Sequence, residues 1–393
     1  MVVTRSEANQ KKEIHVVTGG GGFPGFTLGK RLAKSGHQVR LLDITEPVWE
    51  LEDDMEFIKG SVVDKQKVTE AIEGASVVYH MASYGMSGKS QLDKKRIELV
   101  NIGGTDTVIE ACLHHDVERL VYTSTYNVVF GGQEIRDGDE TLPYLSDEKF
   151  TDHYSKTKML AERKVLSSEG QLTRSGRTLR VCVLRLAGVY GPGELRHIPR
   201  IVSYLEQGLV KVTYGSRDSK VDFLHVDNLA QAHALAAEAL TSQKQHVAAG
   251  KAYFISDSKP VNNFEFFRPL FEGLGYGYPK INLPLLPVFY FAWLTELVHG
   301  LVSPVYNFQP ILTRTEVYKT GVTHYFSTEA AGRDLGYSPT VQNDLSGVVT
   351  FYRKLGRVKG HQSTTLVYYL VNMIILFLIY HVILFLLPRV TAL

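Results

Sequence analysis

The strongest constraint on the fold is a regular alternation, over residues 14–124, of short apolar runs with stretches of helical periodicity. Strands joined by crossovers of this length form parallel sheets with helices on both faces. The sequence therefore predicts an α/β fold built on a doubly wound parallel sheet. Strands are predicted at 14–18, 38–43, 56–60, 76–81 and 119–124, and helices at 26–35, 65–73 and 97–114.

Length and charge exclude some functions. The chain has 393 residues, of which 44% are hydrophobic and 21% charged, as is usual for a globular protein. A formal net charge of +2 gives no reason to expect nucleic acid as a partner. The two cysteines, Cys112 and Cys182, predict buried free thiols rather than a disulfide framework.

A glycine-rich turn follows the first predicted strand. Gly19, Gly22 and Gly25 have the spacing that permits a tight turn and lets backbone N–H groups approach a pyrophosphate. Asp43, at the end of the second predicted strand, is placed to accept hydrogen bonds from ribose hydroxyls and to repel a 2′-phosphate. The pattern therefore favours NAD over NADP. The alternatives are a flexible loop and a turn aspartate.

Tyr154 and Lys158 are one helical turn apart, so a helix would place the ammonium beside the phenol. A positive charge there favours phenolate and lowers the tyrosine pKa, which suits proton transfer to or from a carbinol oxygen. The spacing alone is not specific, because Tyr276 and Lys280 share it. That second pair is set aside, since Pro279 interrupts any helical turn between its members.

Further motifs occur in one order along the chain, and this order resembles that of the extended short-chain dehydrogenase/reductases, in the 3β-hydroxysteroid dehydrogenase branch. The resemblance covers residues 14–357 and implies a Rossmann fold with a smaller C-terminal substrate region. The motifs that carry it, beside the glycine turn and Tyr154/Lys158, are Val-Tyr-His-Met-Ala-Ser at 78–83, Val-Asn-Ile-Gly-Gly-Thr at 100–105, Tyr-Thr-Ser-Thr at 122–125, Leu-Arg-Leu-Ala-Gly-Val-Tyr-Gly-Pro-Gly at 184–193 and His-Val-Asp-Asn at 225–228.

The resemblance implies a role for each matching residue. Tyr154 is expected to be the catalytic acid/base, Lys158 to lower its pKa and bind the nicotinamide ribose, and Thr125 to hold the substrate oxygen, with Ser124 as second candidate. Arg185 is expected in a structural ion pair, and no metal is expected. The residues expected along NAD are Gly19, Gly22, Phe23, Gly25, Asp43, Ser61, Val62, Ala82, Asn101 and Lys158.

Ser61 departs from the family pattern. Many relatives place Asp at this position, where it meets the adenine amino group. A serine has to make that hydrogen bond with its hydroxyl, so the departure bears on how tightly the nucleotide binds and leaves the chemistry unchanged.

The C-terminal residues have the composition of a membrane anchor. Residues 362–388 contain no Asp, Glu, Lys or Arg, and 366–387 are mostly Leu, Ile, Val, Phe and Tyr. A helix over 366–387 would be about 33 Å long, enough to cross a bilayer core. Four basic residues between 353 and 359 precede it and only Arg389 follows, which predicts a cytosolic catalytic domain on the endoplasmic reticulum. A buried core helix is the alternative.

The apolar segment 283–305 is interrupted by Pro284, Pro287 and Pro304. It is predicted to lie on the bilayer surface or to wall an apolar pocket rather than to span the membrane, with a plain buried helix as the alternative. The domain organisation is predicted as a polar tail (1–13), an NAD-binding domain (14–197), a substrate-binding region with segments that return to the sheet domain (198–357), a linker (358–365) and a transmembrane helix (366–387).

These features predict NAD-dependent oxidation of a steroid or sterol 3β-hydroxy group by a membrane-anchored enzyme. Alternatives are a decarboxylating sterol dehydrogenase and a nucleotide-sugar epimerase or dehydratase. The latter enzymes place Asn three residues after the position of Arg185, where this chain has Gly188. A non-catalytic NAD-binding scaffold or sensor is the alternative of another class, but it has no need for Thr125, Tyr154 and Lys158 together. A later isomerisation step and a homodimer are family expectations only.

Overall fold

The computed structural model describes residues 12–86, 88–302 and 312–360. Its strands are β1 (Ile14–Thr18), β2 (Gln38–Asp43), β3 (Met55–Lys59), β4 (Val77–His80), β5 (Arg119–Thr125), β6 (Ile135–Gly138), β7 (Arg180–Leu186), β8 (Gly188–Tyr190), β9 (Val212–Tyr214), β10 (Phe223–His225), β11 (Lys251–Ile255), β12 (Ile281–Leu283) and β13 (His324–Phe326).

The helices alternate with these strands and cover both faces of the main sheet. They are α1 (Phe23–Lys34), α2 (Lys65–Ile72), α3 (Lys94–Glu98), α4 (Gly104–His114), α5 (His153–Ser167), α6 (His197–Glu206), α7 (Val226–Ala239), α8 (Asn263–Gly273), α9 (Leu285–Val302), α10 (Arg314–Gly321), α11 (Glu329–Leu335) and α12 (Ser346–Lys354). One wider helical turn, Leu99–Gly103, joins α3 to α4.

Seven strands form one sheet in the order β3-β2-β1-β4-β5-β7-β11, and every neighbouring pair is parallel. The doubly wound parallel sheet predicted from the sequence is confirmed. From β1 the chain moves outward to β2 and β3 and then returns to β4 on the other side of β1. Ligands of such sheets bind outside the carboxyl ends of the strands at this reversal. The fold therefore directs a ligand to the crevice between β1 and β4.

The first five strands match their predicted positions closely. Strands β1 and β2 coincide with the prediction, and β3, β4 and β5 differ from it by a residue or two at their ends. Helix α1 begins three residues earlier than predicted, with Gly22 at its N-cap and Pro24 in its first turn. Proline is tolerated there because the first helical N–H groups have no partner within the helix.

The core lies in two layers, one on each face of the sheet. Val17 belongs to the layer covered by α1 and α7, and its neighbour Val16 to the layer covered by α2, α4 and α5. This division follows from the alternation of side chains along a strand. Cys112 and Cys182 are fully buried, one in each layer, and both are free thiols, as predicted.

Residues after 198 build a smaller unit with its own apolar cluster. Helices α6, α8 and α12 contribute to this cluster together with Tyr190 and Phe223. The same part of the chain also supplies β11 to the main sheet, and β13 pairs with β6. Helix α7 covers one face of the sheet as well, so several segments of the region 198–357 contact the sheet domain.

The expected membrane segments fall partly outside the structure. The transmembrane helix predicted at 366–387 lies outside the described residues, as do residues 1–11 of the polar tail and 361–365 of the linker. Within the described residues, no helix has both the length and the apolar character needed to cross a membrane. Of the segment 283–305, residues 283–302 are described; they form the end of β12 and α9, and Leu286 and Tyr290 of α9 are exposed. A plain buried helix is therefore not what the structure shows.

Candidate active site

The glycine turn joins β1 to α1 at the reversal of the sheet. Gly19 has φ +75°, and a Cβ on Gly25 would lie 2.3 Å from the Gly19 carbonyl oxygen, so the fold itself excludes side chains at both positions. At Gly22, the nearest atom to an added Cβ would be 3.4 Å away, which is an ordinary contact. Glycine at 22 is therefore not required by the packing of this chain. It leaves open the space before the α1 N-terminus, where a pyrophosphate binds in such folds.

Asp43 lies beside this turn at the carboxyl end of β2. Its Oδ2 accepts a hydrogen bond from the Gly21 N–H at 3.1 Å, and its Oδ1 accepts one from the Thr45 N–H at 3.1 Å. Burial raises the pKa of Asp43, and these backbone hydrogen bonds oppose the rise. A carboxylate has about four acceptor sites, so two hydrogen bonds leave capacity for ribose hydroxyls.

Ala82 and Phe23 flank the glycine turn. The Ala82 nitrogen lies 2.9 Å from the position of a Cβ on Gly19, so the two backbones touch. Phe23, the first residue of α1, is buried, and its ring centroid lies 6.1 Å from that of Trp49. Both residues therefore border the glycine turn, and their contacts with NAD stay predictions.

Ser61 and Val62 follow β3, at the adenine end expected for the cofactor. The Ser61 Oγ accepts a weak hydrogen bond from the Val63 N–H at 3.4 Å. Val62 is buried and fills the space beside Gly104, where an added Cβ would come within 2.6 Å of it. Val62 therefore packs α4 against the end of β3, and its contact with NAD stays a prediction.

Asn101 is buried in the widened turn between α3 and α4. Its Oδ1 accepts from the Tyr84 N–H at 2.8 Å, and its Nδ2 donates to the Tyr84 carbonyl and to Thr157 Oγ1, each at 3.0 Å. The Thr157 hydroxyl in turn donates to the Tyr154 carbonyl at 2.8 Å. Asn101 thus fixes the loop after β4 against the turn of α5 that carries Tyr154. Its predicted contact with NAD stays a prediction.

The helix predicted for Tyr154 and Lys158 is present as α5. Asp152 caps it by accepting from the Ser155 N–H at 2.7 Å, and also pairs with Lys319 of α10 at 3.4 Å. Tyr154 and Lys158 are 6% and 2% exposed, so both side chains face the interior. The alternative pair, Tyr276 and Lys280, lies between α8 and β12 and outside any helix.

Burial controls the ionisation of both residues. It raises the pKa of Tyr154 to about 12, although a hydrogen bond with Ser83 and the charge of Arg196 lower it. Burial also lowers the pKa of Lys158 to about 7, with Glu162 opposing the shift. The predicted lowering of the tyrosine pKa by Lys158 is therefore wrong for this structure, because desolvation of the phenolate outweighs the hydrogen bond with Ser83 and the charge of Arg196.

The ammonium of Lys158 is held by the end of β5. Its Nζ donates to the Thr123 carbonyl at 2.5 Å and lies 4.0 Å from the centroid of the Tyr122 ring. A carbonyl and an aromatic face both stabilise a buried cation. These contacts fix the lysine at the carboxyl edge of the sheet.

Thr125 and Ser124 are neighbours on β5, so their side chains point to opposite faces of the sheet. The Ser124 hydroxyl donates to Glu162, which is fully buried and also pairs with Arg185 at 2.8 Å. The ion pair expected for Arg185 is confirmed. The Thr125 Oγ1 accepts from the Asn127 side chain at 2.7 Å, so the Thr125 hydroxyl hydrogen remains for another acceptor. The geometry favours Thr125 over Ser124 for holding a substrate oxygen.

Two residues at the site had no role in the sequence prediction. Ser83 follows β4 and makes the hydrogen bond with Tyr154. Glu162 accepts from Ser124 and pairs with Arg185 beneath Lys158. The sequence could have indicated Glu162, because it follows Lys158 by four residues and therefore lies one helical turn later on the same face of α5.

A Rossmann sheet that ends in β11, together with a buried tyrosine and lysine one turn apart at the carboxyl edge of β5, defines an extended short-chain dehydrogenase/reductase. Within this class, the chain belongs to the 3-beta hydroxysteroid dehydrogenase/isomerase family, whose model matches residues 16–285.

Known proteins agree with this assignment. The chain is 52% identical over 361 residues to "Short-chain dehydrogenase/reductase family 42E member 1" of Danio rerio, covering 92% of this chain and 93% of the relative. It is 35% identical over 351 residues to "3 beta-hydroxysteroid dehydrogenase/Delta 5-->4-isomerase" of Mycobacterium tuberculosis H37Rv, covering 86% and 90%.

The fold is also that of a solved structure, the UDP-glucose 4-epimerase of Thermus thermophilus in complex with NAD. The TM-score is 0.63 at 21% identity, and the match covers 86% of this chain and 99% of the epimerase. This likeness concerns the fold alone.

Proposed function

We propose that this protein is a membrane-bound oxidoreductase that uses NAD to oxidise the 3β-hydroxy group of a steroid or sterol. The observation that carries the proposal is that Lys158, one helical turn after Tyr154, is bound to the Thr123 carbonyl near the carboxyl end of β5, a strand of the same parallel sheet whose first strand leads into the glycine turn. Membership of the 3-beta hydroxysteroid dehydrogenase/isomerase family supports the reaction class.

The cofactor of this site is NAD. The open space at Gly22 and the free acceptor capacity of Asp43 fit its pyrophosphate and its adenosine ribose. When bound, NAD supplies the acceptor for the hydride that leaves the carbinol carbon. Lys158, fixed by the Thr123 carbonyl, is the residue proposed to bind the nicotinamide ribose.

The protein's own residues handle the proton. The Thr125 hydroxyl would fix the substrate oxygen, and Tyr154 would take the carbinol proton on its phenol oxygen. With a pKa of about 12 the phenol is protonated at neutral pH, so it must first lose its own proton. The Ser83 hydroxyl, its hydrogen-bond partner, is the first group on that path. Lys158 would stabilise the phenolate when its amine is charged.

An apolar substrate is favoured over a nucleotide sugar. Gly188 occupies the position where sugar-nucleotide enzymes carry an asparagine, and a Cβ added there would be 3.6 Å from the ring of Phe223. The site therefore offers a diphosphate no amide donor at this point. The uncharged sequence 362–388 also favours a substrate that dissolves in membranes.

The turnover test measures NAD reduction by the detergent-solubilised protein against a panel of 3β-hydroxysteroids and sterols. Tyr154→Phe is expected to abolish turnover and to leave NAD binding intact, because it removes only the phenol oxygen. The matched control is Tyr276→Phe, which removes a phenol from the other Tyr-x-x-x-Lys pair. Turnover that survives Tyr154→Phe would refute the mechanism, and NAD binding without turnover of any alcohol would support the sensor.

The membrane anchor is proposed to be residues 366–387, with the catalytic domain in the cytosol at the endoplasmic reticulum. Its support is the absence of charge from 362 to 388 after four basic residues. In sealed microsomes, a tag after Leu393 should be protected from added protease and become accessible on detergent treatment. A tag digested without detergent would contradict this topology.

A further inference from the structure

Two histidines and a glutamate meet at the amino edge of the main sheet. Strand β1 begins beside β2, with Ile14 opposite Gln38, and the Gln38 N–H donates to the Glu13 carbonyl at 3.0 Å. This pairing brings Glu13, just before β1, next to His37, just before β2, and His15 follows on β1. The imidazole ring centroids of His15 and His37 are 4.0 Å apart. One ligand atom from each of the three side chains lies within 4.8 Å of the other two, so the three residues form one cluster.

The spacing inside this Glu13–His15–His37 cluster approaches that of metal ligands. The Glu13 Oε2 and the His15 Nε2 are 3.1 Å apart. Two ligand atoms of a tetrahedral zinc ion, each about 2.0–2.1 Å from the metal, are separated by about 3.3 Å. His37 is partly exposed in the loop between α1 and β2, so its side chain has room to move the remaining distance. Two imidazole nitrogens with one carboxylate oxygen are a ligand set that zinc accepts, with water in the fourth position.

Neighbouring side chains orient two of the three ligands. The Tyr79 hydroxyl lies 3.3 Å from the His15 Nδ1. A proton on Nδ1 can be donated to this hydroxyl in a hydrogen bond, which leaves the lone pair of Nε2 for a metal. The Arg119 guanidinium donates to the Glu13 Oε1 at 2.6 Å, whereas Oε2 is the oxygen that faces His15. Metal-binding side chains are usually held by such hydrogen bonds from residues outside the coordination sphere.

The charges around the cluster suit a divalent cation. Burial lowers the pKa of the His15 imidazole. It also lowers the pKa of His37, although the charges of Glu13 and of Glu238, on α7, oppose that shift. Both rings are therefore neutral at neutral pH, which is the form that binds a metal. The two carboxylates near the rings outnumber the single positive charge of Arg119.

We propose that Glu13, His15 and His37 bind a zinc ion, which replaces the hydrogen bond between Glu13 and His15. The site is separate from the active site, because the four residues of extended chain from His15 to Gly19 span about 13 Å and the glycine turn lies at the other edge of the sheet. It does not depend on the proposed function. The ion would tie the start of β1 to the loop before β2. Because the unfolded chain lacks this arrangement, zinc should stabilise the folded protein.

Metal titration of the full-length protein, prepared without a histidine tag, tests the site. Calorimetry should show one zinc ion bound per chain. Co2+ should bind at the same site, give visible absorption typical of nitrogen ligands, and be displaced by zinc. The Tm should rise on addition of zinc and fall back when EDTA removes it. A chain that binds neither ion at a ratio of one to one would overturn the proposal.

Single variants locate the ion. His37→Ala should raise the Kd for zinc about tenfold or more, and Tyr79→Phe, which removes only the hydroxyl beside the His15 Nδ1, about tenfold. The matched control is His114→Ala, which should leave this Kd unchanged. The rings of His114 and His115 are also neighbours, with centroids 4.9 Å apart, but no third ligand side chain joins them among the described residues.

NAD binding serves as the test of folding for these variants. All three should bind NAD like the parent chain, because none of the substituted residues borders the glycine turn. In a variant that binds NAD normally, a changed Kd for zinc then reports on the metal site alone. Parental zinc affinity in His37→Ala, or zinc affinity lost in His114→Ala, would place the ion elsewhere and overturn the assignment.

Discussion

Alanine at two positions of the glycine turn should separate cofactor binding from folding. A Cβ on Gly25 would lie 2.3 Å from the Gly19 carbonyl oxygen, whereas a Cβ on Gly22 meets nothing closer than 3.4 Å. Gly22 also has φ −81° and ψ 161°, which alanine adopts without strain. Gly22→Ala is therefore expected to fold like the parent chain, and Gly25→Ala to be destabilised.

The expected change in the free energy of unfolding follows from these distances for each variant. At Gly25 the clash involves backbone on both sides, and overpacking of this kind costs about 1–3 kcal/mol or more. At Gly22, alanine gains about 0.4–1 kcal/mol from a less flexible unfolded chain and loses a similar amount as a poorer N-cap than glycine. The free energy of unfolding of Gly22→Ala should thus stay within about 0.5 kcal/mol of the parent.

Although Gly22→Ala should leave the unfolding free energy nearly unchanged, it should weaken the binding of NAD. A methyl group before the α1 N-terminus occupies the space left for a pyrophosphate, and a lost charge-assisted hydrogen bond is worth about 1.5–3 kcal/mol. The Kd for NAD is therefore expected to rise by roughly tenfold to a hundredfold. Chemical denaturation and calorimetric titration with NAD measure the two effects separately. Parental NAD affinity in a well-folded Gly22→Ala protein would refute this account of the turn.

Three further predictions concern single side chains. Asp43→Ser should bring the Kd for NADP close to that for NAD, because it removes a carboxylate that repels a 2′-phosphate. Titration with both dinucleotides measures the two Kd values, and a ratio unchanged from the parent would speak against the role of Asp43 in choosing NAD. Thr125→Ala should lower kcat/KM by about a hundredfold or more, whereas Ser124→Ala should mainly lower the unfolding free energy by about 1–3 kcal/mol, because it leaves Glu162 short of a donor. Burial raises the pKa of Asp222 to about 7, so the folded state binds a proton more tightly than the unfolded state and stability should fall as pH rises from about 4 to 7. Asp222→Asn keeps an acceptor for the Phe326 N–H but cannot ionise, so it should flatten the dependence of the unfolding free energy on pH. Denaturation curves at pH 8 should show the effect, which amounts to at most about 4 kcal/mol of unfolding free energy.

Local patterns were enough to predict the sheet. The strands at 14–18 and 38–43 were found to the residue, because each is a short apolar run bounded by turn residues. The four-residue spacing of Tyr154 and Lys158 also predicted that a helix would bring them together, and α5 confirms that helix. The contribution of β11 as a seventh strand was not foreseen, because its pairing with β7 joins residues far apart in the chain.

Properties that depend on burial could not be read from the sequence. The spacing of Lys158 and Tyr154 suggested a lowered tyrosine pKa, but it contains no measure of how much water the fold removes from the phenol. The same limit applies to α9, because its composition does not tell which of its sides packs on α10 and which remains exposed.

The two perturbed pKa values define what a productive complex has to change. The folded site holds Tyr154 with a pKa of about 12 and Lys158 with one of about 7, so at neutral pH the phenol is neutral and the amine is only partly charged. Both shifts arise from desolvation, which disfavours each charge taken alone. A charged pair suffers less, because each charge then stabilises the other in a medium of low dielectric constant. Two kinds of hydrogen bond would stabilise the charged forms: the Lys158 ammonium can donate to ribose hydroxyl oxygens, and a substrate hydroxyl can donate to the Tyr154 phenolate. Such hydrogen bonds would therefore shift both groups together. Proton transfer at this site should depend on the assembled complex rather than on either residue by itself.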